Sequence, residues 1–188
     1  MSLKVDLCVL VLVGAKTTDI FLSEHANDNS DCRDARTACR TLRRAMQVAD
    51  GGRAVVYVDT IRRGSSNWLC RGEEIVQVRG SVTIKPRPPG PSEAVRVGCS
   101  VDGNVRRVLL FNVTGAAASL TLERLTVEGA ILQVREGRVT VTESTLFDVS
   151  LISVDSAGQV SIDVINSTWT SRYPNNLTTC EVSLSTCW

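Results

Sequence analysis

The sequence predicts an all-β protein whose short strands stack in parallel as a solenoid. Three observations support this prediction: β-branched residues crowd the second half, an apolar pattern recurs about every twenty residues, and small turns replace hairpin reversals. The chain has 188 residues, of which 43% are hydrophobic and 22% charged, as in folded soluble domains. This length fits one domain.

The first fifteen residues have the features of a secretory signal peptide. Lys4 precedes an apolar run over residues 7–13, and Val13 and Ala15 occupy the small-residue positions of a cleavage site. A buried first strand would give the same run, so this alternative stays open. The run is too short to cross a bilayer, and no other apolar run is long enough. A membrane anchor is therefore expected only in a segment absent from this chain.

A polar loop and a helix are predicted next. Residues 16–31 are polar and predict an N-terminal loop. Over residues 35–49 the apolar residues fall on one helical face with arginines opposite, which predicts a capping helix. Asp31 or Asp34 can cap its start, and Gly51-Gly52 ends it. A DNA-recognition helix also has an arginine-rich face, but no partner helix follows, so nucleic acid is not an expected partner.

Strand patterns follow the helix, interrupted by a loop over residues 61–74 and a Pro-rich breaker over residues 87–93. The predicted strands are RAVVYVDT (53–60), IVQV (75–78), SVTIKP (81–86), VRVGC (95–99) and VLLFNV (108–113).

Apolar residues then recur in interleaved ladders. A single coil cannot bury its apolar side chains, whereas stacked coils align like residues and pair every strand with its neighbours. The predicted ladders are Leu120–Val139–Val160, Leu122–Val141–Ile162, Val127–Phe147–Trp169 and Leu110–Leu132–Ile152.

The turns between these strands also favour a solenoid. A hairpin sandwich needs Asn-Gly or Asp-Gly reversals, and the one Asp-Gly, at residues 102–103, lies outside the periodic region. Glu128-Gly129 and Glu136-Gly137 fit bends, because Gly tolerates positive φ. A β-sandwich is the alternative, since it also spaces strands by about 8–12 residues.

The block CRTLRRAMQVADGGRAVVYV (39–58), followed by a Cys-bearing loop, VTIKP and VGCS, resembles the start of right-handed parallel β-helix domains of the pectin-lyase-like superfamily. EGAI (128–131) is similar to the GGAI repeat of chlamydial polymorphic outer membrane proteins and their eukaryotic extracellular relatives, with Glu for the first Gly. The companion Phe-x-x-Asn element is missing, because Phe147 is followed by Asp-Val-Ser.

The resemblance covers residues 32–169. It implies a β-helix of about four to five coils over residues 32–188, preceded by a capping helix. The chain stops after Trp188 without an evident cap, so we expect a short family member or a fragment of a longer surface protein.

The cysteine count indicates an oxidising compartment. The sequence has seven cysteines, and loss of Cys8 with the predicted signal peptide leaves an even number. An even number in an exported chain predicts three disulfides, with fifteen connectivities open. Local pairs Cys32–Cys39 and Cys180–Cys187 would leave Cys70 to pair with Cys99. Zinc is disfavoured, because no C-x2-C pair occurs and His25 is the only histidine. Removal of Cys8 with the signal leaves Cys32, Cys39, Cys70, Cys99, Cys180 and Cys187.

Three N-x-S/T sequons begin at Asn112, Asn166 and Asn176. Together with the even cysteine set and the signal-like start, they predict a secreted protein or one on the extracellular face of the plasma membrane.

Basic residues concentrate in the first part of the chain. Between Arg33 and Arg107 fifteen Arg or Lys oppose seven acids, whereas from Thr121 onwards four Arg oppose eight acids. This basic end predicts contact with an anionic glycan or a membrane surface, and a solvated face is the alternative. The net charge of +1 gives no overall attraction to nucleic acid.

Two sets of residues are candidates for a site. Enzymes of the resembled fold use clustered acids for calcium or acid–base chemistry, which makes Glu123, Glu143 and Asp163 a candidate acidic stack; a solvated face is the alternative. Trp68 is a candidate for stacking on a sugar, and packing on a disulfide is its alternative. A nucleophilic triad is not expected, because the single histidine, His25, lies in a polar segment before the helix, and no phosphate loop occurs. We expect no metal and no other cofactor.

The leading functional hypothesis is a non-enzymatic recognition or adhesion module that binds an extracellular polysaccharide or a cell-surface protein. One alternative is a polysaccharide lyase or glycoside hydrolase on the same fold. Another is a structural spacer domain of a larger surface protein.

Overall fold

The computed structural model describes residues 16–23, 25–59, 74–88, 95–98, 109–153 and 160–170. In these ranges the chain forms fourteen strands, one α-helix, α1 (Leu42–Ala49), and one 3₁₀ helix (Ala35–Thr37). The strands are β1 (Thr18–Leu22), β2 (Arg53–Val58), β3 (Glu74–Val78), β4 (Ser81–Pro86), β5 (Val95–Gly98), β6 (Leu109–Val113), β7 (Ser119–Glu123), β8 (Leu125–Glu128), β9 (Ala130–Val134), β10 (Gly137–Thr142), β11 (Thr145–Phe147), β12 (Ser150–Ser153), β13 (Val160–Ile165) and β14 (Thr168–Thr170).

The strands form three parallel sheets. Sheet A has the order β1-β2-β4-β7-β10-β13, sheet B the order β12-β9-β6-β3 and sheet C the order β14-β11-β8-β5. From β4 onwards the described strands visit the sheets in the repeating order A, C, B. The predictions of an all-β protein and of parallel pairing are therefore confirmed.

The register confirms the first step of the main ladder and corrects the second. Leu120 pairs with Val139, but Val139 pairs with Ile162, two residues after the predicted Val160. Val160 pairs with Gly137 instead. In the same way Val141 pairs with Val164 rather than with Ile162. The repeat between β10 and β13 is thus longer than the apolar pattern indicated.

The other two ladders are displaced by one residue at some positions. Leu146, not Phe147, joins Val127 and Trp169 in sheet C. Phe111 and Leu151, not Leu110 and Ile152, pair with Leu132 in sheet B. Because side chains alternate between the faces of a strand, a shift of one residue exchanges the inner and outer faces. Phe147 and Ile152 therefore face outwards.

One apolar core lies along the inner faces of the sheets. Leu120, Val139 and Val127 have no solvent exposure, and Leu146 is 1% exposed. Inward positions on the last strands, such as Ile162 and Trp169, are only partly buried although they pack against the same core.

The N-terminal segment contains a strand where a polar loop was predicted. Within residues 16–31, β1 pairs in parallel with β2. Its inward side chains, Ile20 and Leu22, are buried beside Val56 and Val58. Burial of these two side chains accounts for a strand in an otherwise polar segment.

The helix is shorter than the predicted 35–49. Thr41 is its N-cap, and the Asp28 carboxylate accepts hydrogen bonds from the Arg40 and Thr41 backbone N–H groups, both at 2.9 Å. Asp34 caps the separate 3₁₀ helix instead. The predicted apolar face is confirmed, since Leu42, Ala45, Met46 and Ala49 are buried, and α1 packs against β1, β2 and β3.

Left-handed residues make the corner between sheets A and C. Arg124, Glu143 and Asn166 have φ of 55°, 50° and 48°. The Arg124 N–H donates to the Thr142 carbonyl, and the Glu143 N–H donates to the Ile165 carbonyl, both at 3.0 Å. These bonds join neighbouring corners.

Among the described residues no helix is long and apolar enough to span a bilayer.

Candidate functional site

A row of aromatic and basic side chains crosses the outer face of sheet A over its first three strands, β1, β2 and β4. Phe21 on β1 pairs with Tyr57 on β2, and Tyr57 pairs with Lys85 on β4. Side chains alternate between the two faces of a strand. Ile20 and Leu22, which flank Phe21 on β1, are buried in the core together with their register partners, so Phe21, Tyr57 and Lys85 face outwards.

The members of this row are in contact. The Phe21 and Tyr57 rings stack with centroids 5.3 Å apart and an interplanar angle of 26°. The Lys85 Nζ lies 5.7 Å from the Tyr57 ring centroid, and the Arg87 Cζ lies 5.8 Å from that of Phe21. Such cation–π contacts contribute about 0.5–1 kcal/mol each at exposed sites. They hold two cations beside two partly exposed rings.

An open groove of about 530 Å³ lies next to the row, between β1 and the segment that carries the 3₁₀ helix. Its lining combines an aromatic ring, three arginines and two carboxylates. The lining residues are Asp19, Phe21, Arg33, Asp34, Ala35, Arg36 and Arg87. The groove therefore lies in the basic part of the chain that the sequence analysis singled out.

The second wall of the groove is a loop closed by the Cys32–Cys39 disulfide, whose Cα atoms are 4.9 Å apart. Backbone bonds attach this loop to β1. The Phe21 N–H donates to the Cys32 carbonyl at 2.8 Å, and the Cys39 N–H donates to the Phe21 carbonyl at 2.9 Å. The predicted Cys32–Cys39 pairing is thus present, and it fixes the loop beside Phe21.

Acidic side chains shape this loop. The Thr37 hydroxyl donates to Asp31 Oδ1 at 2.6 Å and the Arg33 N–H donates to the same oxygen at 3.2 Å. These two bonds, the Thr37 bond first, hold the pKa of Asp31 below its usual value. The Asp34 carboxylate accepts the Arg36 N–H at 2.8 Å. Asp31 therefore joins the Thr37 side chain to the Arg33 backbone, and Asp34 bonds to the backbone of the 3₁₀ helix.

The charges at the groove are not all neutralised. Arg87 forms an ion pair with Asp59 at 3.2 Å. The Arg33 and Arg36 side chains are exposed. Neither forms a close ion pair with a carboxylate of the described residues, although the Arg33 charge acts on the neighbouring Asp31 carboxylate. Two guanidinium groups are consequently available to an anion from solvent.

The register displaces Asp163 from Glu123 in the candidate acidic stack. Glu123 pairs with Thr142, whereas Asp163 pairs with Thr140, two positions earlier along β10. Glu143 lies beyond β10, at the corner. The stack was inferred from a ladder that placed β13 two residues out of register, and the corrected register does not bring the carboxylates into one column.

Two of these acids have basic neighbours in different places. Glu123 pairs with Arg124 at 3.2 Å, and Asp163 pairs with Arg138 at 3.8 Å. Among the described residues no group of three or more His, Cys, Asp and Glu is arranged to hold a metal ion.

Of the remaining predicted site residues, Asn112 lies on β6 and Asn166 at the corner after β13. Several predictions fall outside the described residues: Trp68, Cys70, Cys99, Cys180, Cys187 and Asn176, together with the signal peptide over residues 1–15.

Sequence reasoning missed Phe21, Tyr57, Lys85 and Arg87 as members of one site. The signal that could have found the first three is the shared pattern of TDIFL, AVVYV and VTIKP, in which the fourth letter of each is an outward residue on one of three adjoining strands. Comparison with family models, with curated proteins and with solved structures found no match to this chain.

Proposed function

We propose that this chain is a right-handed parallel β-helix that acts outside the cell as a non-enzymatic recognition module for an acidic polysaccharide. The repeating order of sheets A, C and B and the uniformly parallel pairing support the winding. Parallel crossover connections are right-handed in almost all proteins, which favours that hand. The Cys32–Cys39 disulfide supports an extracellular location.

The observation that carries the proposed activity is the stacked Phe21–Tyr57 pair beside the exposed Arg33 and Arg36. The parts of these two rings that remain exposed offer apolar surface to the C–H groups of a sugar ring. Guanidinium groups bind carboxylate or sulfate oxygens with two parallel hydrogen bonds. The groove volume of about 530 Å³ is in the range that small ligands occupy.

Binding is favoured over catalysis by the distribution of the acids. Inverting and retaining glycosidases need two carboxylates that face each other across the scissile bond, about 5–9.5 Å apart. Glu123 and Asp163 lie in different columns and each is ion-paired with an arginine. Of the two carboxylates that line the groove, Asp19 and Asp34, the second accepts a hydrogen bond from the loop backbone.

The test is direct binding of oligogalacturonate and of a heparin oligosaccharide by calorimetry, with neutral oligosaccharides of equal length as controls. We expect binding of at least one acidic probe and none of the neutral ones. Substitution Arg33→Gln with Arg36→Gln should weaken that binding about tenfold or more, because a hydrogen bond to a charged group contributes about 1.5–3 kcal/mol.

The matched control is Arg53→Gln, which removes an exposed arginine at the other end of β2 and should leave affinity unchanged. Phe21→Leu keeps apolar bulk and removes the ring, so it should weaken binding while leaving the fold intact. Equal affinity of the double arginine variant and the unaltered chain would refute the groove as the binding site. Turnover of either acidic probe would refute the non-enzymatic assignment.

A further inference from the structure

The two sequons in the described residues lie in contrasting surroundings. Asn112 is in the middle of β6, an inner strand of sheet B between β3 and β9. Asn166 is exposed at the corner between β13 and β14, in the left-handed conformation that Asn tolerates well. The same tripeptide motif therefore has two different structural roles.

The Asn112 amide belongs to a row of amides on the outer face of sheet B. Register aligns Asn112 with Gln77 on one side and with Gln133 on the other. The Asn112 Nδ2 donates to the Gln77 Oε1 at 3.1 Å, and its Oδ1 atom is buried. A sugar on Nδ2 would crowd the Gln77 and Gln133 side chains on neighbouring strands about 4.8 Å away, and it would replace one of the two Nδ2 hydrogens that can donate to Gln77.

The Asn166 amide has no such constraint. Its side chain makes no hydrogen bond to the described residues, while the next two residues, Ser167 and Thr168, hold the turn in place. The Ser167 hydroxyl donates to the Ile165 carbonyl at 2.7 Å, and the Thr168 hydroxyl donates to the Thr145 hydroxyl at 3.2 Å. The backbone thus presents the Asn166 side chain to solvent from an ordered corner.

We propose that Asn166 carries an N-linked glycan and that Asn112 stays unmodified as a structural amide. Asn166 follows β13, and β1 with its groove is five strand spacings away across sheet A, or about 24 Å. A glycan at Asn166 is therefore attached at the opposite end of the sheet from the groove. The inference does not depend on which ligand the groove binds.

The experiment uses the full chain behind a heterologous secretion signal in eukaryotic cells, with Asn176→Gln to remove the third sequon. Enzymatic deglycosylation in ¹⁸O-labelled water, followed by peptide mass spectrometry, labels each asparagine that carried a glycan. We expect the label at residue 166 and not at residue 112. Chain retained in the cells is mapped in the same way, because glycans are added on entry to the secretory pathway.

Matched variants separate loss of the motif from loss of the fold. Thr168→Val removes the sequon with almost no change in shape and should abolish the glycan, whereas Thr168→Ser keeps the sequon and should retain it. Thr114→Val removes the Asn112 sequon and should leave the glycan mass unchanged. A label at residue 112 in secreted protein, or an unlabelled residue 166 in chain that entered the pathway, overturns the inference.

Discussion

A Ser144→Ala substitution tests whether a buried hydroxyl joins neighbouring strands at the corner between sheets A and C. Ser144 is 4% exposed. Its Oγ donates to the Thr142 carbonyl at 2.8 Å and accepts the Leu125 N–H at 3.1 Å. The second bond matters most, because Leu125 belongs to the preceding repeat and is itself fully buried.

The expected cost follows from these contacts. Alanine leaves the Leu125 N–H buried without a partner, and an unsatisfied buried group costs about 1–3 kcal/mol. We therefore expect the free energy of unfolding to fall by about 2 kcal/mol. For a domain of this size, this corresponds to a decrease of about 4–8 °C in Tm.

The measurement is urea and thermal denaturation followed by circular dichroism, with Ser119→Ala as the matched control. Ser119 also makes a side-chain bond, from its Oγ to the Ser81 Oγ at 2.8 Å, but on the outer face of sheet A, where water can replace it. Its loss should change stability by less than about 0.5 kcal/mol. If Ser144→Ala destabilised no more than Ser119→Ala, the hydroxyl would not have the bridging role that we assign to it.

Three further predictions concern the first strands and the groove loop. Gly80→Ala should lower the free energy of unfolding in urea by about 3 kcal/mol, because the added Cβ would overlap the Gly51 and Gly52 carbonyl oxygens. Gly52→Ala should lower it less, because its added Cβ would lie 3.3 Å from the Ala49 carbonyl oxygen. A larger loss for Gly52→Ala than for Gly80→Ala would contradict this packing. Joint substitution of Cys32 and Cys39 by Ser should lower the free energy of unfolding by about 2.5 kcal/mol, the chain-entropy value for a loop of about eight residues, and should weaken binding of the acidic oligosaccharide; unchanged calorimetric affinity would show that the loop needs no crosslink. Because the folded pKa of Asp31 is lowered, its carboxylate stabilises the fold above the unfolded pKa of 3.8, and this effect is lost as pH falls through the folded pKa. The difference in unfolding free energy between the unaltered chain and Asp31→Asn, measured by urea titration, should therefore disappear in strong acid. A difference that persists there would count against this role.

Much of the strand pattern was predictable because β-branched residues alternate clearly in the chain. Leu120 and Val139 align as the apolar period predicted. The apolar period predicted the wrong inward residue where two apolar residues are adjacent. Leu146 and Phe147 both fit an inward position, and only the conformation of the corner decides between them. The short strand around Ile20 was missed because only two of its side chains are buried.

The candidate site was predicted only in its general position. Charge counting located the basic end of the chain, which contains Arg33 and Arg36. The contact between Phe21 and Tyr57 was not predicted, because the pattern shared by their two strands gives a contact only once the register between strands distant in sequence is known. The acidic stack failed for the same reason, since an error of two residues in register separates Glu123 from Asp163.

The Cys32–Cys39 loop also covers one edge of sheet A. β1 is the outermost strand of sheet A, and unoccupied backbone groups on such a strand invite another polypeptide to add to the sheet. Here the Cys32 carbonyl and the Cys39 N–H already occupy the Phe21 backbone. Because these bonds come from backbone groups, replacing the Arg33 and Arg36 side chains would change the charge of the loop without exposing that edge.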